Sequence, residues 1–143
     1  MLDVDRFKRV NDEHGHAVGD QVLRELAQRC KRRIRDVDIL GRYGGEEFAM
    51  VLPDTDRDSA ADTVARRLLE SLGDEPIATR HGPLSVTVSL GVATAGDETQ
   101  DLAALLDRAD GAMYKAKAAG RNRVAVAEDE AEHRGGSSGH EEG

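Results

Sequence analysis

Arg42-Tyr43-Gly44-Gly45-Glu46-Glu47-Phe48 joins two apolar stretches, residues 39–43 and 48–52, that read as paired strands. Gly44 and Gly45 supply the positive φ that a tight hairpin needs. The pattern predicts a hairpin over 39–52, with 48–52 apolar on both faces and therefore central in the sheet. A hairpin has no use for two adjacent glutamates. Two carboxylates about 4 Å apart repel by roughly 4 kcal/mol at an effective dielectric near 20. Water or a divalent cation offsets that repulsion, and taken alone the turn reads slightly better as a solvated loop, a balance that the rest of the chain reverses.

A second acidic cluster opens the chain: Leu2-Asp3-Val4-Asp5-Arg6-Phe7-Lys8, then Val10-Asn11-Asp12 and Gly15-His16-Ala17-Val18-Gly19-Asp20. Asp3 falls inside an apolar strand predicted over 1–4, where burying a lone charge is costly. A strand-end carboxylate meeting a hairpin-tip carboxylate is a minimal oxygen cage for Mg²⁺ or Mn²⁺, ions that leave room for substrate phosphates. The alternative is that both aspartates cap the following helix. Asp5 is assigned to capping and Asp3 to metal. A calcium-binding loop over 3–12 fits poorly, because the glycine and the bidentate glutamate of an EF-hand are out of register.

The rest of the chain alternates. Helices are predicted over 7–13, closed at Gly15, and over 19–35, where Val22, Leu23, Leu26, Ala27, Cys30 and Ile34 recur at helical spacing. Further helices are predicted over 58–72 and over 102–119, the last stopped by Gly120 as a C′ glycine. A strand rich in β-branched residues is predicted over 84–94, paired with a short one over 77–79, and 124–127 closes the sheet. The order fits an α+β, ferredoxin-like βαββαβ sandwich with a mostly antiparallel central sheet. Residues 1–127 form one domain, and 128–143, acidic and Gly/Ser-rich, are predicted to be disordered.

The net charge is −8, of which the six acidic residues and one arginine from residue 128 onward contribute −5. The mildly acidic body argues against nonspecific binding to DNA or RNA, but not against a nucleotide, which needs only local positive charge. Cys30 is the only cysteine, which excludes an intramolecular disulfide, and it is expected to be inert core. No apolar run is long enough to span a membrane and no signal peptide is evident, so a cytoplasmic location is expected.

With both acidic clusters in view the chain resembles the GGDEF family, the diguanylate cyclases. The residues that carry the resemblance are D-x-D-x-F-K-x-x-N-D at 3–12, G-H-x-x-G-D at 15–20 and G-G-E-E-F at 44–48. Val86-Thr87-Val88-Ser89-Leu90-Gly91-Val92 and the run from Asp110 to Asn122 follow in the same order. Five spaced motifs in one order over residues 1 to about 127 form a specific signal. The resemblance implies a palm-like fold. It also implies condensation of two GTP into cyclic di-GMP with release of two pyrophosphates, in a homodimer whose protomers face each other across a two-fold axis.

The same resemblance implies roles for particular residues. Asp3, Glu46 and the backbone carbonyl of Val4 would hold one or two Mg²⁺ or Mn²⁺ ions. Glu46 would also be the general base, with Glu47 as a second acidic partner. Lys8 would stabilise transition-state charge, and the amides at the start of the first helix, Phe7 and Lys8 among them, would seat phosphate. Lys117 and Arg121 would reach the β- and γ-phosphates, although helix ends favour cations in any case. Asn11 and Asp20 would read the guanine edge, with His16 beside them. Arg35-Asp36-Val37-Asp38 stands five residues before Gly44, where the family's R-x-x-D inhibitory site occurs, and Arg66 matches its helper position. These three would bind cyclic di-GMP.

One departure shapes the expectations. GGDEF domains normally begin with an extra helix, a D-x-L-T-G-L-x-N-R-R segment and the first half of the strand that carries Asp3. None of these precedes Met1, so the first strand is expected to be truncated, leaving backbone groups unpaired beside it. Three readings stand at this point: an active cyclase, a catalytically inactive module that binds cyclic di-GMP or GTP, and an inert remnant.

Overall fold

A computed structural model describes residues 1–96 and 101–128. The tail expected to be disordered lies outside the described residues apart from Glu128. Strand β1 (Leu2–Val4) leads through α1 (Phe7–His14) and α2 (His16–Arg33) to the hairpin of β2 (Ile39–Arg42) and β3 (Glu47–Val51). A π-helical segment, Ser59–Ala65, runs directly into α3 (Arg66–Asp74). The strands β4 (Ile77–Thr79), β5 (Gly82–Leu84) and β6 (Val88–Val92), helix α4 (Leu102–Ala118) and β7 (Arg123–Val126) complete the order.

Five strands form one sheet in the order β2-β3-β1-β6-β7, antiparallel throughout except for the parallel β6–β7 pair. This is the expected α+β palm. The middle strand is β1, however, and not the 48–52 segment. β3 lies inside the sheet between β2 and β1, with Phe48 buried and its other residues half-covered. All three residues of β1 are buried, as its place between two neighbours requires.

Side chains of β1 alternate between the faces. Leu2 and Val4 join the larger core with Val22, Leu26 and Cys30 of α2 and Leu68 and Leu72 of α3. Met1 packs with Ala109 and Met113 of α4, and Asp3 also meets α4. A period of two therefore sends Asp3 towards the helix that carries Lys117. Cys30 is fully buried, and burial pushes its thiol up to about 12, so it is the inert core residue expected.

The 84–94 segment is broken rather than continuous. β4 and β5 form a separate two-stranded ribbon, and only Val88–Val92 enters the main sheet. α2 begins at His16, directly after Gly15 ends α1, instead of at Gly19. Past α4, Gly120 (φ 130) donates to Lys117 O at 3.2 Å and Arg121 to Ala116 O at 3.0 Å. That pair of bonds is a Schellman closure, with glycine at the expected C′ position.

Candidate active site

The β1–β3 register sets the site. Asp3 lies opposite Glu47, and the Val4 amide donates to Glu46 O at 3.4 Å. Two acidic clusters more than 40 positions apart thus meet across one antiparallel pair. Asp3 is 1% exposed. Its Oδ2 accepts from Lys117 Nζ, while its Oδ1 is buried with no hydrogen-bond partner. An orphaned buried carboxylate oxygen is costly. A hard cation arriving from the side of Glu46 and Glu47 would satisfy it.

Electrostatics point the same way. Burial raises the pKa of Asp3, partly opposed by Lys117 and reinforced by Asp5 and Asp110. Burial also raises Glu46, with Asp3 next in weight, and raises Glu47, with Asp110 and Asp3 next. All three carboxylates are thus held where their charged forms are disfavoured, the condition that a divalent ion reverses. Among the described residues no three His, Cys, Asp or Glu side chains close into a ready-made metal cage. A cation here would draw on two side chains, a backbone carbonyl and substrate phosphate.

The sign of the linkage gives a measurable consequence. A carboxyl whose folded pKa is raised favours the folded state below its ordinary value, 3.8 for Asp and 4.5 for Glu, and that contribution is lost as pH rises through the raised range. The rise in unfolding midpoint produced by Mg²⁺ is therefore expected to be larger near about pH 8 than near about pH 5. Equal rises at the two pH values, read by thermal denaturation, would contradict this cluster as the cation seat.

A solvent-open cleft of about 680 Å³ runs from the hairpin tip to the α1–α2 junction. Glu46, Glu47, Phe7, Lys8, Asn11, His16 and Asp20 all line it. Lys8 is exposed and enters no ion pair among the described residues. The first backbone bond of α1 is donated by Arg9 to Arg6 O at 3.0 Å, so the amides of Phe7 and Lys8 lie ahead of the helical ladder. A separate, largely apolar cavity of about 360 Å³ is lined by Val64, Leu105 and Ala109 among others.

Gly19 sets the α1–α2 junction. A Cβ there would stand 2.0 Å from Asn11 Oδ1 and 3.1 Å from the Phe7 ring. Gly19→Ala is therefore expected to drive the Asn11 amide out of place and to weaken guanine-nucleotide binding at least tenfold. The stability cost is expected to be only about 1–3 kcal/mol, because the Asn11 side chain can yield. Calorimetric titration with GTP beside a thermal melt separates the two effects.

Several expectations are corrected. Asp5 does not cap α1, whose cap residue is Arg6 in a left-handed conformation (φ 55) without a side-chain bond. It accepts instead from Thr87 Oγ1, Ser89 Oγ and the Asn122 amide. Neither Gly44 nor Gly45 has positive φ. The hairpin is held by Arg42, whose guanidinium donates to Gly44 O at 3.3 Å and to Gly45 O at 3.2 Å. The space beside Gly45 is open, so bare backbone faces the cleft.

Lys117 and Arg121 are outside the cleft lining. Lys117 is paired with Asp3, and Arg121 sits in the left-handed turn after α4 (φ 64). Arg35 and Asp38 close on each other, Nη2 to Oδ1 at 2.8 Å and backbone amide to Oδ2 at 2.7 Å. Arg35 also donates to Pro53 O at 2.7 Å and Thr55 Oγ1 at 3.0 Å. Bonding to Arg35 holds Asp38 below the usual carboxylate range. Arg66 stands apart from this pair, 3.8 Å from Asp62. Arg42, Asp5 and Asp110 carried no site role in the sequence reading. For Asp110 a signal existed, since its seven-residue spacing from Lys117 puts both on one face of α4.

Comparison with known proteins identifies the family. Residues 1–123 match the family described as diguanylate cyclase, GGDEF domain. The chain is 47% identical over 128 residues to the uncharacterized protein YhcK of Bacillus subtilis, covering 89% of this chain and 35% of that protein. It is 44% identical over 128 residues to the response regulator PleD of Caulobacter vibrioides, covering 87% and 28%. The chain thus spans about a third of the length of these relatives. Among solved structures, the GGDEF domain of DgcB from Caulobacter crescentus in complex with c-di-GMP superposes with a TM-score of 0.83 at 37% identity, covering 90% of this chain and 75% of that one. The chain belongs to the GGDEF family of diguanylate cyclase domains.

Proposed function

We propose that this chain is a diguanylate cyclase, condensing two GTP into cyclic di-GMP and two pyrophosphates as a homodimer. One observation carries the reading. The buried Asp3, with an unpartnered oxygen, stands opposite Glu47 across the β1–β3 pair, and Glu46 and Glu47 line a cleft that also gathers Lys8, Asn11 and Asp20. Mg²⁺ or Mn²⁺ would be held by Asp3, Glu46 and the Val4 carbonyl. When bound it supplies neutralisation of phosphate charge and a lowered pKa for the attacking hydroxyl.

The remaining work falls to the chain's own groups. Asn11 and Asp20 offer acceptors and an amide donor to the N1–H, N2–H₂ and O6 edge of guanine, with His16 beside them. Phosphates lie over the amides of Phe7 and Lys8 and against the Lys8 ammonium, where a helix start favours negative charge. The bare backbone beside Gly45 lets the nucleotide approach closely. Lys117 and Arg121 receive the β- and γ-phosphates. The 3′-oxygen of one GTP attacks the α-phosphorus of the other, the bond to the β-phosphate breaks, and pyrophosphate leaves with that electron pair. Glu46 takes the hydroxyl proton, with Glu47 alongside. Positioning and charge stabilisation dominate such a transfer.

One cleft seats one GTP, so turnover needs two protomers. Arg35 and Asp38 would bind the product as an inhibitory site, assisted by Arg66, and binding must exchange their mutual pair for contacts to guanine and phosphate. Incubation with GTP and Mg²⁺ followed by chromatography tests the reading. A cyclic dinucleotide is expected, at a rate per protomer that rises with protein concentration. Folded protein that binds cyclic di-GMP but makes none at any concentration would establish the binding-only module instead. An unfolded or aggregated sample would establish the inert remnant.

A further inference from the structure

We propose that Asp5 is a positioning residue whose carboxylate fixes the turn after α4, and with it Arg121, against the start of α1, so that the two phosphate-contacting elements act on one triphosphate. The inference rests on the GTP reading above.

Asp5 is buried and gathers three donors from separate parts of the chain: Thr87 Oγ1 at 2.6 Å, Ser89 Oγ at 2.6 Å and the Asn122 backbone amide at 2.9 Å. Its own amide donates to Thr87 O at 2.9 Å. An ionised carboxylate only accepts, so one side chain satisfies all three donors without presenting a hydrogen to any of them. The arrangement ties the β1–α1 junction, the entry to β6 and the entry to β7 at a single point.

The turn is closed locally by the Gly120 and Arg121 amides and by Arg123 Nε donating to Arg121 O at 3.0 Å, and Asp5 ties it to the rest of the fold. Arg121 (φ 64) and Asn122 (φ 49) are consecutive non-glycine residues in the left-handed region, which such residues enter rarely and singly. The Arg121 amide is drawn inward to Ala116 O, and the Asn122 amide is drawn across to Asp5. Asp3 meanwhile holds Lys117. Asp5 holds the 121–122 end of the 117–122 segment whether Lys117 stays with Asp3 or turns to the phosphates, so Arg121 keeps its place. Asp5 also adjoins Arg6, whose left-handed cap conformation has no side-chain bond of its own, ahead of Phe7 and Lys8. Losing the Asp5 carboxylate frees Arg121 from its place relative to Lys8 and leaves Asn11 and Asp20 undisturbed.

The test compares ligands that differ only in the β- and γ-phosphates. The full chain and its Asp5→Ala variant are titrated calorimetrically with GMP and with a GTP analogue carrying a non-reactive α,β-methylene bridge, both with Mg²⁺. Asp5→Ala is expected to weaken the triphosphate by roughly tenfold, the loss of about one charge-assisted contact, with GMP affinity unchanged within about twofold. Adding Asn122→Gly to Asp5→Ala is expected to recover at least a third of the lost affinity, because glycine takes up left-handed backbone without a clamp. A purely architectural role would weaken both ligands alike, and that result, or no change in either, overturns the inference. If Asp5→Ala does not fold, Asp5→Leu with Thr87→Val and Ser89→Ala carries the same comparison, since it fills the space, removes both hydroxyls and offers no acceptor to the Asn122 amide. An unchanged triphosphate-to-GMP ratio in that variant overturns the inference equally. Unaltered protein that fails to bind the analogue or to turn over GTP removes the GTP reading itself, whereas an active protein with an unchanged ratio removes only the role of Asp5.

Discussion

Glu46→Gln is expected to lower cyclic dinucleotide formation by about 10³-fold while leaving the fold intact and raising its thermal stability at neutral pH. The two effects share one cause. Burial and the nearby Asp3 and Glu47 disfavour the charged form of Glu46, so the ionised carboxylate is a burden on the folded chain unless a cation is present. The amide keeps the size and removes the charge. Repulsion falls, and the unfolding midpoint without cation rises, most clearly at pH values above the raised pKa. The amide can neither take a proton nor bind a hard cation as a carboxylate does, so chemistry is lost as stability is gained. This opposition separates a functional carboxylate from a structural one, whose removal would cost both. Turnover at the wild-type rate, or a midpoint lowered by several degrees, would show that Glu46 is not the centre of the site.

The second large effect falls on stability. Gly91 in β6 passes so close beneath α4 that a Cβ there would stand 2.1 Å from Ala109 O, 2.3 Å from Met113 N and 2.9 Å from Met113 Cα. All three are backbone atoms of a helix, which cannot turn aside as a side chain does. Gly91→Ala must lift α4 off the sheet. That uncovers the Met1–Ala109–Met113 cluster and moves Lys117 away from Asp3. The expected cost is about 4 kcal/mol or more, a fall of about 10 °C or more in unfolding midpoint. Gly111 in the same helix is the control, since a Cβ there meets nothing within 4 Å. Gly111→Ala should stabilise by up to about 1 kcal/mol through helix propensity alone. Two glycine-to-alanine changes on either side of one interface thus differ in sign, and circular dichroism melts read both. A Gly91→Ala protein that melts like the parent would mean that α4 does not pack as described.

Much of this was legible in the sequence because the decisive residues sit on elements with strong local signals. The apolar runs flanking Gly44 and Gly45 fix a hairpin, and the apolar residues around Asp3 mark a strand in which a charge needs a partner. Their juxtaposition then follows once the two strands pair. What escaped notice depends on partners distant in the chain. Val86-Thr87-Val88 has every β-branched mark of a continuous strand, yet the pairing ends just past Val88, with the in-register bond from the Asp5 amide to Thr87 O, because β1 turns away there into α1. Asp5 has the position of a helix cap, and only the three donors that reach it from elsewhere give it another task. The double glycine suggests positive φ, whereas the turn is set by Arg42 folding back onto it, a contact with no sequence pattern of its own. In the same way R-x-x-D spacing marks Arg35 and Asp38, but not that without ligand they satisfy each other.

No helix among the described residues is long and apolar enough to cross a membrane. The claim on which the account turns is that Asp3 and Glu46 share a divalent ion. Its most direct test is the anomalous signal of Mn²⁺ in crystals grown with a non-reactive GTP analogue. The account predicts a peak within bonding distance of carboxylate oxygens from both residues, about 2.0–2.6 Å for hard cations, with Lys117 turned from Asp3 towards the phosphates. A peak elsewhere, or none while Lys117 stays paired with Asp3 and nucleotide fills the cleft, would contradict it.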